Sequence, residues 1–454
     1  MRIEIPGREK QMKQKPGNKL LISIIFFIAV ISCLIGAQAE DRLAIPPNVT
    51  TIQEAAFENV PLQNVKLEFP AGLKRIESRA FAGTGLRGVF LSSEISYIAD
   101  DAFDGCDNFH PIVYPGTYAA DWCADHGVTP YIIRGLGVIK RTKSEIKTYI
   151  QEHPVDLSSV TEYRKAPTGG VYGGETYSYG LIRKTDLDNG IALINRIRYI
   201  AGLNADVVNA DDKEEILAAS ALINALNGTI SHYPARPEAL SSEEYDELYD
   251  LACTGGSSSN LHMGHGNLAE TVLSYMDDSD SSNIDRVGHR RWILNPSMGR
   301  TTFGFCHQDR TYTYTFDDGS SYTFSYTYYY SGMYAFDRSG SGTQKPVAWP
   351  AQVTPLSCYT GGADQAWSVS FGQSLKKEKI HITLIRKKDQ KTWEFGPDSA
   401  DGDFYVDNGG YGQPGCVIFR AAEMGSISAG DTFAVSIRDD EHYTVTEYTV
   451  SFIE

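Results

Sequence analysis

Residues 258–296, SSNLHMGHGNLAETVLSYMDDSDSSNIDRVGHRRWILNP, decide how the middle of this 454-residue chain is read. Leu268, Val272 and Tyr275 recur at helical spacing, which predicts an amphipathic helix from Leu268 to Met276. Polar and ionisable residues crowd around it beside apolar anchors: His262, His265, Asn267, Glu270, Asp277, Asp278, His289, Arg290 and Arg291. Trp292, Ile293 and Leu294 read as core. Arg290 and Arg291 are expected to pair with the Asp277, Asp278 and Asp280 cluster and so anchor an acidic loop. Upstream, Thr185 or Asp186 caps a segment with Leu187, Ile191, Ile194 and Arg198 on one face. A second helix is expected from Asp212 to Asn227, stopped by Gly228, and Ser241 with Glu244 has the spacing of a capping box. Between these helices stands a second polar group, Ile230-Ser231-His232-Tyr233-Pro234. Thr185 to about Phe305 is therefore mainly helical.

Beyond the helices the period changes to two. Tyr312, Tyr314 and Phe316 alternate with polar residues, Asp318-Gly319 turns the chain, and Tyr322, Phe324, Tyr326 and Tyr328 resume the pattern. That is a β-hairpin with one aromatic face. Such a face can stack on sugar rings, but coverage by a neighbouring core is the expected fate. From Pro346 the chain reads as short alternating strands, among them Trp367-Val369-Phe371, Ile380-Ile382-Leu384 and Phe433-Val435-Ile437. About a hundred residues of this kind predict an all-β sandwich.

The other flank repeats. Ile52, Ile76 and Ile98 each precede an Ala-Phe pair by the same offset, Ala56-Phe57, Ala80-Phe81 and Ala102-Phe103, and each pair is followed by a short β-like segment. No such unit buries its Ile and Phe alone, so neighbours must stack into a solenoid. Residues 136–183 read as a linker, with a helix-like pattern from Ser144 to His153 and glycine breaks at 169, 170, 173 and 174. At the start, basic residues precede the apolar run Leu20 to Gly36, and Ala37-Gln38-Ala39 offers a cleavage site. The order predicts a secretory signal peptide over residues 1–39. An uncleaved anchor and lipid attachment at Cys33 are the alternatives.

Removal of residues 1–39, with six basic and two acidic side chains, takes the net charge from −16 to −20. Such a surface repels nucleic acid and anionic lipid, so the only membrane contact expected is the signal segment if it stays uncleaved. Six cysteines remain, which permits three disulfides outside the cytoplasm but no disulfide scaffold. No C-x-x-C pair offers a cysteine-based zinc site.

The repeats, with the closing segment Pro115 to Ala120, resemble leucine-rich repeats of the BspA type, which implies adhesion at a cell surface. The helical region resembles the CAP superfamily. Asn195-Arg196-Ile197-Arg198 followed by Ala201-Gly202-Leu203 looks like the motifs that open a CAP domain. Ser231-His232 resembles the first histidine of the family, and Gly288-His289-Arg290-Arg291-Trp292-Ile293-Leu294-Asn295-Pro296 resembles the G-H-R-x-x-I-L-N-P motif that supplies the second. The combined expectation is a multidomain α+β protein. A signal peptide (1–39) precedes a short leucine-rich-repeat solenoid (40–135) and a linker (136–183). A central α-β-α sandwich of the CAP type (184–335) and a C-terminal all-β sandwich (346–454) follow.

The family cleft often holds two histidines and two acids, and some members bind a divalent metal there. His232 and His289 match the histidines. Gly266 stands where the first acid belongs, and Glu270 compensates only if it points inward. Asp278, or Asp277, is the best match for the second acid. The expected cleft holds Asn267, Glu270 and Arg290, with His262 and His265 as extra candidates that have no family counterpart, and the candidate metal set is His232, Asp278 and His289. Two imidazoles and a carboxylate suit zinc and leave an open position that activates water. Hydrolysis also needs a general base, for which His265 beside the vacant acid position is the substitute. In the plainer reading His289 only hydrogen-bonds the loop that positions it. The expected protein is secreted or held at the cell surface and acts by binding an extracellular protein, glycan or cell-wall ligand. A metal-dependent hydrolase of extracellular peptides or cell-wall polymers is the alternative.

Overall fold

The computed structural model describes residues 41–454, which fall into two compact units, one ending at Ile132 and one beginning at Ile133. The signal-peptide reading and Cys33 lie outside the described residues.

In the first unit the repeat period becomes a stack. Ile52, Ile76 and Ile98 sit on two-residue strands that pair in parallel, Ile52 against Ile76 and Ile76 against Ile98. The phenylalanines lie one above another: Phe57 and Phe81 are 5.1 Å apart at 5°, Phe81 and Phe103 5.4 Å at 7°. Backbone rungs tie the same turns, Phe57 N–H to Ala80 and Phe81 N–H to Ala102. A second parallel set pairs Phe90 with Ile112 and Ile112 with Tyr131. The stack is closed by the helix Tyr118–Asp125, capped by Thr117, whose Trp122 packs edge-on against Phe103 at 5.7 Å. The repeats therefore fold as a solenoid, since each isoleucine and phenylalanine is buried by its neighbour rather than by its own unit.

In the second unit the helices run Lys184–Ile200, Glu214–Asn227, Asp246–Ser257, Leu268–Asp277 and Gly288–Ile293. Gly228, at a left-handed φ of 69°, stops the second as expected. The third opens with a 3-10 turn capped by Ser242 rather than by Ser241. Three strands form an antiparallel sheet with Ser259–Met263 and Phe303–Thr315 flanking Ser321–Tyr334. Gly190 of the Lys184–Ile200 helix lies against the Phe303 ring, whereas a Cβ on Gly304 would sit 2.0 Å from the Leu217 carbonyl of the Glu214–Asn227 helix. Successive strand residues point to opposite faces, so the two helices approach the sheet from opposite sides.

The segment 136–183 is no free spacer. Leu136, Ile146 and Ile182 are buried in the core shared with the helices, and the helix Lys143–Glu152 carries a capping box between Thr142 and Glu145. From Val347 to Ile453 two sheets form, one ordered Val347–Trp349, Trp367–Ser370, Cys416–Ala421, Gly402–Asp407. The other contains Lys391–Phe395, Ile380–Arg386, Thr432–Asp439 and Thr444–Ile453, with Val353–Pro355 parallel to the last. Trp367 of the first sheet meets Phe433 (5.3 Å) and Phe452 (6.2 Å) of the second. One hydrophobic cluster joins Leu136, the Lys184–Ile200 and Leu268–Asp277 helices and the C-terminal strands to Ile453, while the Glu214–Asn227 helix packs into a second with Leu240, Tyr245 and Tyr330.

Three expectations are corrected here. The aromatic face of the hairpin is not covered: Tyr314 and Tyr322 are 61% exposed, and Tyr312, Phe316, Phe324 and Tyr326 are exposed as well. Among the described residues the Ser259–Met263 strand pairs with Tyr330–Tyr334 at the hairpin's base, and no third strand joins the ribbon beyond it. The six cysteines among the described residues are free thiols rather than three disulfides, and five are buried as small apolar residues. Arg290 and Arg291 do not serve the acidic loop through side-chain ion pairs with Asp277, Asp278 and Asp280. The fully buried Arg290 guanidinium donates to the carbonyls of Met276 (2.8 Å), Asp277 and Ala366 (2.7 Å) and to Ser368 Oγ. Arg291 pairs with Asp407 and donates to the Gly409 and Gln413 carbonyls. Both arginines fasten the short helix to the C-terminal strands.

Candidate functional site

The site is built where two helix ends meet. Asp278 ends the Leu268–Asp277 helix in a left-handed conformation, φ 47°, and Val287, φ 41°, opens the Gly288–Ile293 helix. Non-glycine residues in this region are uncommon and strained; here they turn the Asp278 carboxylate onto the start of the next helix. Its Oδ1 accepts from His289 Nδ1 at 2.9 Å, and its Oδ2 accepts from the Arg290 backbone N–H at 3.2 Å. The carboxylate is fully buried, while the His289 side chain is 22% exposed. An acceptor at Nδ1 places the ring proton there and leaves Nε2 with its lone pair, the arrangement that makes an imidazole a base or a ligand.

Tyr275, buried on the same helix, stands between two imidazoles, 5.3 Å from His289 and 6.1 Å from His262 by ring centroids. Its hydroxyl donates to the Asn260 carbonyl at 3.0 Å, and Asn260 Nδ2 donates to the His289 carbonyl at 3.0 Å. Burial pushes the Tyr275 phenol far up, so it is a neutral wall. His262 and His265 lie stacked at 5.0 Å and 7°. Burial, helped by the neighbouring His265 and His289, holds His262 down to about 4. Its Nε2 is buried with no hydrogen-bond partner. His265 comes within 3.7 Å of Glu270, both half-exposed.

The position of the missing acid has a physical account. A Cβ on Gly266 would lie 3.0–3.3 Å from the Tyr329 ring, so Tyr329 occupies the space a longer side chain would need. Asn267 is a helix cap: its Oδ1 accepts from the Ala269 and Glu270 N–H groups, and its Nδ2 donates to the Asp156 and Ser159 carbonyls.

The fold thus gathers His262, His265, Tyr275, Asp278 and His289, with Glu270 beside His265. It uses Asn267 and Arg290 as structural members. His232 donates from Nδ1 to the Gly256 carbonyl at 2.8 Å. Among the described residues no three His, Cys, Asp or Glu side chains are grouped to hold a metal ion. The donor set His232, Asp278 and His289 does not fit zinc as placed, because the Asp278 carboxylate is buried and spends both oxygens on the next helix. Tyr275, Asn260 and Tyr329 were missed as site residues. Tyr275 carried a signal, since it shares a helix face with Leu268 and Val272, but that signal is indistinguishable from core.

Comparison with known families places a repeat class on the first unit. Residues 38–120 match the BspA type leucine rich repeat region, in six copies. Comparison with curated proteins and with solved structures returned no match.

Proposed function

We propose that the chain is an exported or surface-attached binding protein. Its BspA-type repeats serve adhesion, a CAP-like α-β-α sandwich (184–335) presents the histidine cleft, and a β-sandwich (346–454) braces that cleft. Helices approaching the three-stranded sheet from opposite sides support the CAP reading, together with the order of the Asn195–Leu203, Ser231-His232 and Gly288–Pro296 motifs. Export rests on the residue order of positions 1–39. The repeat stack, matched over residues 38–120, carries the binding role.

Binding rather than turnover is supported by what the cleft lacks. A hydrolase needs an activated water or nucleophile beside its base. His289 has the form of a base, and that hydrogen bond is what favours the hydrolase alternative. Gly266 supplies no acid, and no donor group assembles for a metal among the described residues. The test incubates the chain from Glu40 with insoluble cell-wall polymer and with mucin. Co-sedimentation without release of free amino groups or reducing ends is the expected result. Product release that disappears in a His289→Ala variant would replace this reading with the hydrolase.

A further inference from the structure

The hairpin supplies a second surface that owes nothing to the histidine cleft. Side chains alternate strictly along it. On one face Thr311 pairs with Ser325, Thr313 with Thr323 and Thr315 with Ser321, each hydroxyl bonded to its opposite number at 2.9–3.1 Å. On the other face Tyr312 opposes Phe324 and Tyr314 opposes Tyr322, with Phe316 and Tyr326 extending the row. Tyr312, Phe324 and Tyr322 form a near-parallel run, 24° and 25° between planes at 5.5 and 5.9 Å. The hydroxyl face satisfies itself, so the ribbon holds its aromatic face outward without a ligand. A continuous exposed row of six large aromatics is not a usual solvent surface.

We propose that this aromatic face, Tyr312 to Phe316 with Tyr322 to Tyr326, is a platform for a neutral, extended polysaccharide. The occupant follows from charge and from the geometry of the rings. The one charge among the rings is Arg310, which donates to Gln308 Oε1 at 2.8 Å and lies over the Tyr328 ring. Of the ribbon's acids, Asp309 accepts from Thr327, Asp318 is held in the turn by Ser320, and Asp317 stands exposed at the turn beyond Phe316. A polyanion would meet a protein of net charge −16, and so would a second copy of this chain. A cationic ligand finds no carboxylate along the paired strands of this face, where Asp317 stands only at the turn. The row is about 17 Å long, from five residues at ~3.4 Å per residue. It matches a few pyranose rings laid end to end. Their axial C–H faces stack on aromatic rings, while tyrosine hydroxyls reach the sugar hydroxyls at the edges. An equatorially linked β-glucan presents such C–H faces on both sides of a flat ribbon.

This inference shares with the proposal above only the premise of extracellular binding. The test is affinity electrophoresis of the chain from Glu40 in gels containing hydroxyethylcellulose, with polygalacturonate as the anionic control. Retardation is expected in the neutral gel alone. A Tyr314→Ala, Tyr322→Ala double variant should weaken it about tenfold or more. His289→Ala should leave it unchanged, which separates failure here from failure of the cleft. Because both tyrosines are exposed, far-UV circular dichroism of the double variant should match the parent. No retardation of the parent, equal retardation of parent and variant, or retardation by polygalacturonate would overturn the proposal. So would a dimer in sedimentation that the double variant abolishes, since the occupant would then be a second copy.

Discussion

Acidification isolates the buried histidine. His262 is held at about 4 in the folded chain, against about 6.5 when unfolded. For an imidazole depressed on folding, the fold keeps the neutral form. Above pH 6.5 neither state binds the proton, and His262 leaves stability unchanged. As the pH falls from 6.5 toward 4, the unfolded chain takes up a proton that the folded chain refuses, so stability is lost across that window. The gap between the two values is worth about 3 kcal/mol at its limit, and the partial solvent access of the ring reduces the expectation to about 1–2 kcal/mol. His262→Gln removes the titration while keeping a polar side chain of similar length. Urea unfolding of parent and variant at pH 7.5 and pH 4.5 cancels every other titrating group in the difference. The parent should lose about 1–2 kcal/mol more than the variant between the two pH values. Two stability profiles that run parallel over this range would show that His262 is not held neutral by burial beside His265 and His289.

Two further outcomes follow from the packing. Phe81→Ala should cost the repeat unit about 3–5 kcal/mol, because the ring is buried between Phe57 and Phe103; Phe90→Ala, at 40% exposure, should cost under about 1 kcal/mol by the same urea titration. Arg291→Met should destabilise the second unit by about 3 kcal/mol, since it strands Asp407 and the Gly409 and Gln413 carbonyls. Limited proteolysis should then cut first between Asp407 and Pro414.

What the sequence disclosed depended on how local the physics was. The I-x-x-x-A-F period is a contact made between adjacent turns, so Phe57, Phe81 and Phe103 could be placed in one stack from spacing alone. Gly228 and the 268–276 helix were legible for the same reason, since helix stops and faces are set within one or two turns. The hairpin's strands were legible too, but the exposure of its aromatic face was not. Alternation reports two different faces, and the face that meets water is decided by tertiary contacts, since among the described residues no third strand joins the ribbon beyond Tyr330. At the site, the carboxylate at Asp278 was named but its role was not. A buried acid that orients His289 through Nδ1 and a liganding acid have the same letter. They differ in where a left-handed residue turns the side chain.

The motif Gly288–Pro296 shows why resemblance and use must be weighed residue by residue. Arg290 and Arg291 are consumed by carbonyls and by Asp407. The buried Arg198 gathers the carbonyls of Ile293, Asn295, Pro296 and Met298, so the stretch after Trp292 is clamped by an arginine from the first helix of the region. A guanidinium stripped of water needs several acceptors at once, and these carbonyls provide them. Arg290 and Arg291, with the carbonyls of Ile293, Asn295 and Pro296, are thus taken up by folding contacts. His289 alone combines a fixed proton on Nδ1 with a partly open ring. A variant series across the motif should therefore lower stability at Arg198, Arg290 and Arg291, and also in His289→Ala, which takes a donor from the buried Asp278 carboxylate; His289→Asn, whose amide N–H can stand in for Nδ1, should lose less stability while removing the open Nε2.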